Sequence, residues 1–230
     1  MNIGGFQKSS LIDYPGKISA IIFTQGCNFR CPYCHNAELV NPELFTEPLK
    51  VEDILAHINS RRGLLDAVVI SGGEPTLQTD IEELLRAIKK MGFFVKLDTN
   101  GSNPSVIKSI IAEKLIDYIA MDIKAPLERY QDVVKLNIDV TRIKESIEII
   151  MNSSLDYEFR TTVAKNLLSE SDIISIAKSI EGARKYALQN IVLSKTLDPL
   201  TAKRVHPYSD QELNEIKNKV EKHVEMCAVR

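Results

Sequence analysis

No stretch of this sequence stays apolar for long. The longest such runs are strand-sized, residues 18–23 for example, far below the ~20 residues of a membrane-spanning helix. The N-terminus lacks the basic and apolar regions of a secretory signal. Net charge is nearly absent, with 29 Lys and Arg against 31 Asp and Glu, so no bulk attraction to nucleic acid is expected. Cysteine is scarce, at four residues. Without a sign of secretion those thiols have no oxidising compartment, which argues against disulfides and for a cytoplasmic, metal-binding role. Tryptophan is absent, and nothing follows from that. No repeat of 20–50 residues is visible. What is present, 44% hydrophobic residues in a chain of 230, suffices for one large core, so one domain over 1–230 is expected.

Three of the four cysteines stand together in Cys27-Asn28-Phe29-Arg30-Cys31-Pro32-Tyr33-Cys34-His35-Asn36, spaced C-x3-C-x2-C, while Cys227 lies near the C-terminus. Structural zinc takes four protein ligands, and ferredoxin-type clusters take four cysteines. Three thiolates without a fourth suggest a centre with one position left for something that is not protein. A zinc site completed by His35 is an alternative, although adjacent Cys34 and His35 have difficulty reaching one tetrahedral ion.

Strand and helix signals alternate through the chain. Residues 1–17 are rich in Gly, Ser and turn formers and read as a lead-in, with a tight turn at Asp13-Tyr14-Pro15-Gly16. Apolar, β-branched runs predict strands at 18–23, 66–70, 93–97, 118–124, 156–163 and 189–194, with the tail 224–230 as a further candidate. Helical periodicity predicts helices at 51–59, from Thr79 or Asp80 to Lys90, from Pro104 to Lys114, at 127–134, at 139–151, and from Ser169 or Ser171 to Ile180. After a turn at Asp198-Pro199, Ser209 and Glu212 form a capping-box pattern that opens a final helix. This order argues for a parallel sheet with helices outside. Six units fall short of a closed eight-stranded barrel, and composition does not separate a partial barrel from a doubly wound sheet.

Each of the first five strands carries polar residues at or near its C-terminal end: the cysteine loop at 25–36, then 71–76, 98–101, 122–124 and 160–162. In a parallel α/β fold those ends converge on one face. Taken singly, each has a plainer explanation. Gly72-Gly73 suits any tight βα turn, Asn100-Gly101 suits turn capping, Lys124 suits a solvated lysine, and Arg160 suits an inward arginine paired with a core acid.

The cysteine spacing, with the aromatic Tyr33 before the last cysteine, resembles the radical S-adenosylmethionine (SAM) superfamily. Ser71-Gly72-Gly73-Glu74-Pro75 is similar to that superfamily's second motif. The resemblance implies an open, partial (β/α)6 barrel. It also implies a [4Fe–4S] cluster on Cys27, Cys31 and Cys34, whose open iron is chelated by SAM and which cleaves SAM reductively to a 5′-deoxyadenosyl radical. By the same resemblance Tyr33, Asn36, Gly72, Gly73 and Glu74 contribute to cofactor binding, with the 72–74 backbone at the SAM amino group.

Asp98-Thr99-Asn100-Gly101 and Asp122-Ile123-Lys124 resemble segments of the glycyl-radical-enzyme activases, the family of pyruvate formate-lyase activating enzyme. Asp98, Asp122 and Lys124 are implied at the SAM ribose and carboxylate, and the two aspartates could also hold a monovalent cation. Arg160 is a candidate partner of the SAM carboxylate. Where some relatives carry a histidine near adenine, this chain has Ser194 and Lys195.

Residues 4–17, 23–36, 196–199 and 203–208 look like the activating proteins of anaerobic ribonucleoside-triphosphate reductase. This implies hydrogen abstraction from a glycine Cα of a glycyl radical enzyme, with flavodoxin or ferredoxin as electron donor. Residues 196–230 are expected to form a C-terminal turn and helix. Two other readings stay open: a small-molecule radical SAM enzyme like 7-carboxy-7-deazaguanine synthase, and a zinc-binding interaction module.

Overall fold

The structure of the chain, a computed structural model, describes residues 1–193 and 196–230. Strand β1 (Ile3–Tyr14) turns at Pro15-Gly16 and pairs antiparallel with β2 (Lys17–Thr24). After β2 come α1 (Ala37–Val40) and α2 (Val51–Ser60), then β3 (Ala67–Gly72), α3 (Ile81–Lys90), β4 (Phe94–Thr99), α4 (Pro104–Ala112) and β5 (Tyr118–Asp122). The chain continues through α5 (Tyr130–Val134), α6 (Val140–Met151), β6 (Asp156–Val163), α7 (Glu170–Ser179), β7 (Tyr186–Asn190), α8 (Thr201–Arg204), α9 (Asp210–Val220) and β8 (Cys227–Val229). The eight strands form one sheet in sequence order, and β2 to β8 are all parallel. Among the described residues β1 and β8 do not pair with each other, so the barrel is open. Six βα units run from β2 to the helix before β8, as expected, with a hairpin strand added in front and a short strand behind.

Alternation along the strands builds the two faces. Ala20, Ile22, Val68, Ile70, Val95, Leu97, Ile119 and Met121 belong to the large cluster shared with the helices, which α3 joins through Ile81, Leu84, Leu85 and Ile88. The intervening residues form a smaller cluster of Tyr14, Ile21, Ala67, Val69, Tyr118 and Ala120. Toward the strand C-termini the same inner positions become polar, as Ser71, Asp98, Asp122 and Arg160. Local signals set several helix starts. Ser169 with Asp172 and Ser209 with Glu212 form complete capping boxes, and the Asp139 side chain accepts from the Thr141 amide. Asp80 occupies the N-cap of α3 without a capping hydrogen bond.

Two expectations need correction. The lead-in is a strand, because backbone pairing with β2 satisfies it although most of its side chains are exposed or half-buried. The strand expected at 189–194 begins three residues earlier, at Tyr186, where register with Phe159 buries Tyr186, Ala187 and Leu188. Its expected last residue, Ser194, and its neighbour Lys195 lie outside the described residues.

Candidate active site

A cavity of about 230 Å³ opens at the C-terminal ends of β2 to β6. Cys27, Cys31, Tyr33, Cys34 and Asn36 line it from the loop after β2, Gly72 and Gly73 from β3, Asp98 from β4, Asp122 and Lys124 from β5, and Arg160 from β6. Of the candidate residues only Glu74 stays outside its lining. Phe29, His35, Val40, Ser71, Thr99, Asn100 and Thr162 complete it.

The cysteine loop is anchored on several sides. The Gly26 amide donates to the Leu39 carbonyl, and the Arg30 amide donates to that of Val134. Phe29 is buried edge-on against Tyr130. Leu197 and Asp198 donate backbone hydrogen bonds to the carbonyls of Cys34 and Pro32, so the 196–199 segment, noted above for a turn and for its resemblance, pins the loop from a distant part of the chain. All three cysteines are free thiols. Burial, ahead of every other cause, pushes Cys27 up to about 12 and Cys31 up to about 11, and it raises Cys34 as well. As bare thiols they are therefore neutral near pH 7, and a bound metal centre would deprotonate them.

The two glycines also let two chain segments approach closely. A Cβ on Gly72 would meet the Thr24 backbone at 2.5 Å, and Gly72 has φ +111°. A Cβ on Gly73 would lie 2.1 Å from the Gly26 carbonyl oxygen. The space they leave is filled by the chain entering the cysteine loop, to which Gly73 and Glu74 donate through their amides. The Glu74 carboxylate is fully buried and stays outside the cavity lining. It accepts from Thr76 N at 3.1 Å, Thr99 Oγ1 at 2.7 Å, Asn100 N at 2.6 Å and the Thr76 hydroxyl. Glu74 thus ties the loop after β3 to the loop after β4. Burial raises its carboxyl, against the pull of those four hydrogen bonds.

At the inner wall charges of both signs interlock. Arg160 Nε donates to Asp122 Oδ1 at 2.8 Å, and its Nη1 lies 3.4 Å from Asp98 Oδ2. Lys124 Nζ reaches Asp122 Oδ2 at 3.1 Å. Lys96, 3% exposed, stands 2.9 Å from Asp98 Oδ1 and donates to the Asp13 carbonyl. Sequence reasoning missed Lys96, yet period-two alternation places it on the face of Asp98. Burial alone would raise the Asp122 carboxyl, but Arg160 and then Lys124 hold it well below the usual carboxylate range. Of the two readings of Arg160, the geometry shows an inward arginine paired with acids. Two carboxylates meet three cations here, a balance that suits an anionic group such as a carboxylate.

A single metal ion does not fit the cysteine end. Among the described residues no group of three or more His, Cys, Asp or Glu is placed to hold one. His35 Nε2 is engaged with the Val192 carbonyl.

An open parallel barrel with three thiols and a charged inner wall at its mouth defines the class. Residues 21–193 match the radical SAM superfamily, and the chain belongs to it. It is 38% identical over 233 residues to a Methanocaldococcus jannaschii protein provisionally named a glycyl-radical enzyme activating enzyme, across 99% of this chain and 95% of that one. It is 35% identical over 130 residues to the pyruvate formate-lyase 1-activating enzyme of Escherichia coli K12, across 53% of this chain and 51% of that one. Within the superfamily the chain is therefore an enzyme of the glycyl-radical-enzyme activating family. Two solved structures share the fold. Streptococcus suis SuiB bound to precursor peptide SuiA has TM-score 0.68 at 16% identity, over 91% of this chain and 48% of SuiB. TYW1 with a lysine-pyruvate adduct has TM-score 0.62 at 16% identity, over 90% of this chain and 74% of that one. The family implies a [4Fe–4S] cluster and SAM, and three convergent free thiols beside a wall carrying both charges suit that pair. No helix among the described residues is long and apolar enough to cross a membrane.

Proposed function

We propose that this enzyme activates a glycyl radical enzyme by taking a hydrogen atom from a glycine Cα of its partner, and that the partner is an anaerobic ribonucleoside-triphosphate reductase. The observation that carries the reading is the convergence of residues from five strand ends on one cavity beside three thiols. The resemblance of residues 4–17 and 23–36 to reductase activating proteins supports the choice of partner. In this reading the whole of 1–230 acts as one cytoplasmic domain, and a flavodoxin or ferredoxin delivers the electron.

Cys27, Cys31 and Cys34 would hold the cluster as thiolates. When bound, cluster and SAM together supply the one-electron chemistry that removes the hydrogen. This chain's own residues bind and orient. Lys124 presents its ammonium to the SAM carboxylate, and Asp98 and Asp122 offer acceptors for ribose hydroxyls. Arg160 helps keep Asp122 ionised and holds both aspartates in place. Asn36, whose Nδ2 lies 3.4 Å from the Gly72 carbonyl, joins the cysteine loop to the 72–74 backbone intended for the SAM amino group. Tyr33, buried with its hydroxyl facing Cys31, shields that thiol from water.

The test is to mix the reduced, reconstituted enzyme anaerobically with SAM and a candidate reductase and record EPR spectra. A glycyl radical on the reductase supports the proposal. SAM cleavage with no radical on the reductase, but with one on pyruvate formate-lyase, would overturn the choice of partner.

A further inference from the structure

We propose that Asn100 is a positioning residue whose side-chain amide donates to the Cys27 sulfur and sets the reduction potential of the centre that Cys27 would hold. The inference rests on the iron–sulfur reading above. Asn100 is 6% exposed and lies on the loop after β4. Every polar group on it that matters is committed. Its backbone amide donates to Glu74 Oε2 at 2.6 Å, and its Oδ1 accepts from the Ser102 amide at 2.9 Å. Its Nδ2 donates to Asn28 Oδ1 at 2.9 Å and stands 3.9 Å from Cys27 Sγ. Asn28 is itself fixed, since its Nδ2 donates to Ser102 Oγ at 2.8 Å.

The network decides which way the Asn100 amide points. Oδ1 must face the Ser102 donor and Nδ2 must face the Asn28 acceptor, so the second Nδ2 hydrogen is left for the sulfur. Turn formation alone would need only Oδ1. Cys27 also receives the Phe29 amide at 3.4 Å. Reduction adds negative charge to an iron–sulfur centre and its sulfurs. A fixed N–H donor therefore stabilises the reduced form more than the oxidised one and raises the potential. Through Glu74 the same residue couples the loop after β3 to the ligand cysteine, which accounts for an asparagine that turn chemistry explains only in part.

The experiment uses reconstituted full-length protein without SAM, titrated potentiometrically and followed by EPR. Asn100→Ser keeps an oxygen for the Ser102 amide and removes the Nδ2 donor. At the wild-type midpoint we expect about tenfold less reduced relative to oxidised centre, a shift of about 59 mV to more negative potential for one electron. Asn100→Asp, which keeps size and Oδ1 but replaces the amide with a carboxylate, is expected to shift the midpoint at least as far. An unchanged midpoint in fully loaded variants would overturn the proposal. So would loss of the centre from both variants with far-UV circular dichroism intact, since Asn100 would then act only on loop shape. Wild-type protein that takes up no cluster would instead refute the iron–sulfur reading, a separate failure.

Discussion

Gly73→Ala tests the crossing of chains beneath the site. The added Cβ would stand 2.1 Å from the Gly26 oxygen and 2.7 Å from its carbonyl carbon. Neither neighbour is a side chain that can swing aside. Gly26 follows β2, and Thr24 is paired in register with Gly72. Separating the two segments by roughly 1 Å stretches the Glu74 amide away from the Gly26 carbonyl, now at 2.8 Å, at a cost of about 1 kcal/mol. Overpacking adds about 1–3 kcal/mol. The sum, about 2–4 kcal/mol, corresponds to a fall in Tm of about 5–15 °C for a chain of this length. Thermal unfolding of the iron-free protein, followed by circular dichroism under anaerobic conditions, reads this directly. Because Gly26 precedes Cys27, iron content after reconstitution is also expected to fall. A Tm within about 2 °C of wild type, with full iron loading, would refute the reasoning. Gly101→Ala is a useful contrast. Its Cβ would meet the end of Met121, a flexible side chain that can move, so the cost reduces to the left-handed backbone at φ +74°, about 1–2 kcal/mol.

The remaining predictions are brief. Glu74→Gln puts an amide against Asn100 N or the Thr76 donors and should cost about 1–3 kcal/mol in urea unfolding at pH 7. That loss should grow in acid, since the raised Glu74 carboxyl penalises the wild-type native state only as pH rises past the unfolded carboxylate value, a penalty that Gln lacks. Asp122→Ala should weaken SAM binding by calorimetry while iron content stays at wild type; loss of iron instead would contradict the role given to Asp122. Arg230→Ala removes two hydrogen bonds, at 3.1 and 2.7 Å, from buried Glu158 and should cost about 1.5–3 kcal/mol at pH 7. Burial would raise the Glu158 carboxyl, but Arg230 prevails and lowers it. The stability Arg230 confers is therefore present above the unfolded carboxylate pKa and lost as pH falls through the folded value, so the two proteins should converge in acid unfolding curves.

Most of the barrel is legible because its strands are continuous apolar runs and its helices begin at recognisable caps. Strand β1 is hidden because the hairpin, with its register shifts after Ile3, Gln7 and Ser10, breaks the two-residue period. The start of β7 is obscured because Ile191, Val192 and Leu193 look like strand, although Val192 is 61% exposed beyond the last pair with β6. The site is legible as a set of strand ends, since topology alone gathers those. Partnership is not. Nothing in Ser71-Gly72-Gly73-Glu74 says that the glycines make room for Thr24 and Gly26, or that the glutamate faces Thr99 and Asn100. Those contacts depend on how closely two loops approach. The pairing of Asp122 with Arg160 needed the register of β5 on β6. Once that is known, both aspartates are seen to face cations of this chain, which their positions in the sequence do not disclose.

The most direct test of the central claim is an anaerobic one: reconstitute wild type and Cys31→Ala with iron and sulfide, reduce, add SAM and assay 5′-deoxyadenosine. The account predicts a brown wild-type protein that forms 5′-deoxyadenosine. It predicts a Cys31→Ala protein that stays folded, because the substituted side chain lies on a loop outside the sheet, and forms none. A colourless wild-type protein that holds stoichiometric zinc and leaves SAM intact, or a Cys31→Ala protein as active as wild type, would contradict it.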